Sequence, residues 1–182
     1  MKGEEVKEVD IAAKVRREPT GLEKLAAIIP GYQGYKEKEQ RREADKLLRM
    51  HLARGFEEQR RRINELQLQL TDKGRLASVV TLERAMLRLQ LLIDRLKTAS
   101  YGYAGWFDAI KVEEAELDAL YAFDSAITEN LAQVTRIIDL LAEAVAKDEN
   151  PSSPASDLLT TLEELNTAFG RRQDVIQQTT DV

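Results

Sequence analysis

Six apolar residues between positions 79 and 96 constrain this chain more than any other feature. Val79, Leu82, Met86, Leu89, Ile93 and Leu96 follow one another at steps of 3, 4, 3, 4 and 3. At 3.6 residues per turn these positions line one face of a helix, whereas on a strand they would scatter over both faces. An uninterrupted heptad seam of this kind requires a second helix to cover it. Leu87, Leu91 and Leu92 widen the apolar surface beyond a two-stranded seam. That width implies that the helix, about 75 to 99, touches more than one neighbour.

The same periodicity recurs along the chain. A helix from about 34 to 70 carries Leu48, Leu52, Phe56, Ile63, Leu66 and Leu70, and the turn 71–74 closes a hairpin with the next helix. Gly55 sits inside this helix and weakens it by about 1 kcal/mol relative to Ala. A third long helix, about 111 to 147, has Leu117, Leu120, Asp124, Ile127, Leu131, Val134, Ile138, Leu141 and Val145 at alternating steps. The stretch NPSSPAS at 150–156 breaks the chain, with Ser156 as N-cap of a last helix over about 157 to 178. That helix carries Leu158, Leu162, Leu165, Phe169 and Ile176. A short amphipathic helix, 21 to 29, follows Thr20 as N-cap and stops at Pro30–Gly31. Helices joined by short turns pack antiparallel. The expected fold is therefore all-α: an antiparallel, coiled-coil-like four-helix bundle over residues 21–178, with the short N-terminal helix docked at one end. Residues 1–20 are expected to form a flexible segment and 179–182 a tail.

Composition fits one domain. The chain has 182 residues, enough for a single core, with 43% hydrophobic and 32% charged residues. No cysteine is present, which excludes disulfides, thiolate metal sites and cysteine nucleophiles. Apolar runs are too short for a membrane span, and MKGEEVKEVD lacks the apolar core of a signal peptide, so a cytoplasmic location is expected. The charge is uneven: residues 1–98 hold 22 Lys and Arg against 16 Asp and Glu, whereas residues 99–182 hold 5 against 16. The halves, at +6 and −11, are suited to docking on each other.

Two aromatic–glycine clusters stand out. Tyr32 and Tyr35 lie in GYQGY, and Tyr101, Tyr103, Trp106 and Phe107 lie in YGYAGWF. The hairpin's second helix is about a dozen residues shorter than its first, so its end falls short by roughly 18 Å. Both clusters are thereby expected at the same end of the bundle, either as corners that plug it or as an aromatic surface for a partner.

Tests for chemistry are mostly negative. His51 is the only histidine, so the paired Glu-x-x-His motifs of di-iron bundles are absent. No G-x-S-x-G element, Walker A loop or G-x-G-x-x-G loop occurs, and no cofactor is implied. The basic residues of the first long helix alternate with acids, which reads as a solvated face and argues against nucleic acid. Asp124 is the informative exception, because it occupies a seam position where a carboxylate needs a partner. An Arg or Lys of the first long helix, His51 or a Tyr hydroxyl could each serve.

The passages GYQGYKEKEQRREADKLLR and YGYAGWFDAIKVEEAELDALYAFD resemble a poorly characterised prokaryotic helical family, over roughly residues 24 to 146. The resemblance implies that the clusters and the Asp124 region belong to one shared design, and it carries no activity, cofactor or catalytic residue. The expected function is a non-catalytic helical scaffold or adaptor that binds a protein partner or itself. A peripheral membrane protein using helix 21–29 is the alternative, and an enzyme of unknown type the third.

Overall fold

A computed structural model describes residues 21–31, 38–98 and 114–178. The described residues form five helices: α1 (Gly21–Ile28), α2 (Lys38–Asp72), α3 (Leu76–Thr98), α4 (Glu114–Ala146) and α5 (Ser152–Gln178). Among the described residues there is no strand.

The stripes predicted from spacing form the core. On α2, all six of Leu48, Leu52, Phe56, Ile63, Leu66 and Leu70 are buried, joined by Ala44 and Ala53. On α3, Leu82, Leu89, Ile93 and Leu96 are buried, and Val79 and Met86 pack against them partly covered. Ile127, Val134, Ile138, Leu141 and Val145 of α4 meet Leu158, Leu162, Leu165 and Phe169 of α5 in the same cluster. Such burial is the main stabilising term, at about 1.5–3 kcal/mol per large aliphatic side chain before the entropy of ordering it.

Two turns at the same end of the bundle use one device. At the α2 terminus Gly74 has φ +69, Arg75 N–H donates to Leu70 O and Gly74 N–H to Thr71 O. This is a Schellman ending, which satisfies carbonyls that the last helical turn leaves open. The α4 terminus repeats it with Asp148 at φ 58, where Glu149 N–H donates to Ala144 O and Asp148 N–H to Val145 O. Lys73 Nζ joins the two turns through Val145 O at 2.5 Å and the Asp148 carboxylate at 3.5 Å.

Each long helix reverses the direction of the one before it, but chain neighbours are not always spatial neighbours. The packed pairs are α2·α3, α3·α5, α5·α4 and α4·α2, so α3 and α4 stand across a diagonal. The α2·α4 pair is parallel: Gly55 faces Leu131, and Arg62 pairs with Asp139 further along both helices. The α3·α5 pair is parallel too, with Arg88 against Glu163 and Arg95 over the Phe169 ring at 5.8 Å. Outside this ring, α1 packs on α4 with Leu25 and Ile29 buried and Lys24 reaching Glu129 at 3.3 Å.

Two sequence expectations need correction. The last helix begins at Ser152 rather than 157, and Ser156 is not its cap. Asn150 Oδ1 instead accepts the Ser152 N–H at 3.1 Å. Pro154 falls in the first turn, where its missing N–H removes no intrahelical bond. Secondly, α3 does pack against two neighbours, but of the three leucines expected to widen its covered face only Leu92 is buried, alongside Ser78 and Ala85; Leu87 and Leu91 are exposed.

Candidate functional site

The two hairpin arms differ in length, with 35 residues in α2 and 23 in α3, so α2 runs roughly 18 Å past the end of α3. The α2–α4 register, set by Gly55 facing Leu131, brings the starts of α2 and α4 level. The start of α2, the end of α3 and the start of α4 thus share one end of the bundle. Tyr32, Tyr35, Tyr101, Tyr103, Trp106 and Phe107 lie outside the described residues, in the two stretches that adjoin these helix ends.

A buried polar layer sits where α3 stops. Asp124 is 0% exposed, as its seam position predicts, and Tyr121, Ser125 and Thr128 are buried beside it along α4. Thr128 Oγ1 donates to Asp124 O at 2.9 Å. By the same register, Arg49 of α2 lies level with this segment, and it too is buried. Its Nη1 donates to Leu96 O at 2.8 Å. Leu96 is in the last turn of α3, whose carbonyls have no intrahelical partner, and a guanidinium there complements the negative end of the helix dipole. Arg49 therefore terminates α3 and ties it to α2 with one charge-assisted bond. His51, half-buried in the same part of α2, has its pKa lowered, first by burial and then by the Arg54 charge. No group of three or more acidic or histidine side chains among the described residues could hold a metal ion.

The second feature was not anticipated as a surface. Leu76, Val80, Leu87 and Leu91 of α3 are 65%, 57%, 72% and 43% exposed. At 100° per residue they fall within an arc of roughly 60°. Their mean direction is roughly opposite that of the buried set Ser78, Leu82, Ala85, Leu89, Leu92, Ile93 and Leu96. So α3 has two apolar faces, one against the core and one toward solvent. Leu68 of α2 is exposed near the same turn as Leu76. A helical projection of residues 76–98 contains this second stripe; treating Leu87 and Leu91 as a broadening of the first one hides it.

Charge docks the two halves. Arg62–Asp139, Arg88–Glu163, Lys73–Asp148, Arg75–Asp148 and Lys24–Glu129 all join a cation from the basic half to an acid from the acidic half. Each pair is partly exposed and contributes little stability singly. Together they engage several basic side chains inside the fold.

No family model, curated protein or solved structure matches the chain, so the family resemblance of the two aromatic–glycine passages finds no counterpart there.

Proposed function

We infer that this chain is a non-catalytic helical scaffold or adaptor of the cytoplasm, working through protein–protein association on the outer face of α3. The observation that carries this reading is the second apolar stripe. Four aliphatic side chains in line on one solvent-facing helix are more than the scattered apolar exposure of an ordinary surface. An amphipathic helix with two opposed apolar faces supports both a core and a partner. The alternative, membrane attachment through α1, has less to rest on, because Leu25 of that helix and Ile29 just after it are buried in the core cluster. No helix among the described residues is long and apolar enough to cross a membrane.

Carbene footprinting tests the reading by comparing the chain in the cells that make it with the dilute purified protein. Leu76, Val80, Leu87 and Leu91 lose labelling in the cell, whereas Leu140, exposed on α4, keeps it. Equal labelling of α3 in both settings would refute association through this face.

A further inference from the structure

Residues 18 apart on a helix point the same way, because they are about five turns apart. Tyr121 and Asp139 of α4 stand in that relation, as do Ser125 and Glu143. Tyr121 and Ser125 are buried, at 5% and 7% exposure, whereas Asp139 and Glu143 are exposed. One flank of α4 is thus covered near Ser125 and open further along. The neighbouring α2 does not account for the difference, because it runs beside α4 at both levels. What differs is α1. It packs on α4, and its Lys24 reaches Glu129, one turn beyond Ser125 on the same flank, at 3.3 Å.

The hold of α1 on the bundle is slight. Its eight residues are too few for a helix that is stable by itself. Each long helix packs on at least two others, while α1 has extensive contact with α4 only. Leu25 and Ile29 are its buried anchors, and Glu23, Lys24, Ala26, Ala27 and Ile28 are exposed. The side chains of the Lys24–Glu129 pair are 45% and 66% exposed, and such a pair adds little. An element with few buried contacts opens before the domain that carries it unfolds.

We propose that α1 is a latch: it closes over the Tyr121–Ser125 flank of α4 by seating Leu25 and Ile29, and it lifts off while the four long helices stay packed. This device is independent of the outer face of α3. The closed form hides two surfaces, the apolar side of α1 and the hydroxyl-bearing flank of α4 bordered by Glu129. The open form presents both.

Thiol labelling of the full chain tests the latch, because the chain has no cysteine of its own. Ser125→Cys places a near-isosteric thiol under α1. Thr161→Cys places one at a site of equal burial on α5, outside the α1–α4 contact. Ellman's reagent reacts with each thiol only when its site opens. Ser125→Cys is expected to label faster than Thr161→Cys, with little dependence on low urea, because lifting α1 exposes far less surface than unfolding the bundle. Adding Leu25→Ala removes one anchor and speeds labelling at Ser125→Cys by about tenfold or more, with the helical circular dichroism retained. Labelling of Ser125→Cys that climbs with urea as steeply as that of Thr161→Cys would overturn the latch, since α1 would then leave only with global unfolding. So would labelling at the rate of a free thiol in the otherwise wild-type chain, a rate indifferent to Leu25→Ala, or loss of the fold in that variant.

Discussion

Gly55 lies in the interior of α2, where glycine is the poorest residue for a helix after proline, and its replacement by alanine tests how closely α2 and α4 approach. A Cβ at this position would stand 2.5 Å from Leu131 Cδ2, with Cδ1 at 3.3 Å and Cγ at 3.4 Å. Carbon–carbon contact is comfortable at about 3.5–4.0 Å, so Leu131 has to turn away. Leu131 is partly buried against the core, and turning it aside gives up contacts there. Two opposing terms follow. Helix propensity favours alanine by about 1 kcal/mol. Overpacking costs about 1–3 kcal/mol. Gly55→Ala in the wild type is therefore expected to give a result between no change and a loss of about 2 kcal/mol. In a Leu131→Ala background the obstruction is gone, and the same substitution stabilises by about 1 kcal/mol. For a chain of this size that gain raises Tm by about 2–4 °C. A double-mutant cycle, unfolded by heat and by urea and followed by circular dichroism, measures a coupling of about 1–3 kcal/mol between the two sites. An equal gain from Gly55→Ala in both backgrounds would show that no close approach exists there, and the parallel α2–α4 register would lose its anchor.

Three further outcomes are expected. Arg49→Met removes the charge-assisted bond to Leu96 O and leaves a helix-terminal carbonyl without its donor, for a loss of about 1.5–3 kcal/mol. Hydrogen exchange then speeds up in the last turn of α3 before it does in α5. Asp148→Gly relieves the left-handed conformation at φ 58 and gives up only exposed ion pairs to Lys73 and Arg75, so thermal melts rise by the equivalent of about 0.5–1 kcal/mol. His51 titrates below its ordinary value of 6.5 in the folded state because burial and Arg54 oppose its charge. The unfolded chain therefore takes up the proton first. This contribution to stability is intact above pH 6.5 and is lost as pH falls toward the lowered folded value. His51→Gln flattens that part of the stability profile, and the imidazole resonances of the single histidine follow the titration by NMR.

Heptad spacing alone marked most of the large apolar side chains that line the core. All six stripe residues of α2 are buried, and Asp124, marked by its place in the α4 seam, is fully buried as its neighbours require. The charge imbalance between the halves likewise foretold the ion pairs that join them. These are properties of single helices: 3.6 residues per turn decides which side chains share a face, and an apolar face has to be covered. Which helix covers it is a property of pairs, and periodicity does not encode it. The tertiary structure decided that α3 and α4 stand across a diagonal, with α2·α4 and α3·α5 running parallel. It also decided that Gly55, costly to an isolated helix, is where Leu131 comes close. Leu87 and Leu91 depended on it most. Their apolar side chains are equally compatible with a wide core face and with a second face, and only the positions of α2 and α5 around α3 leave them pointing at solvent.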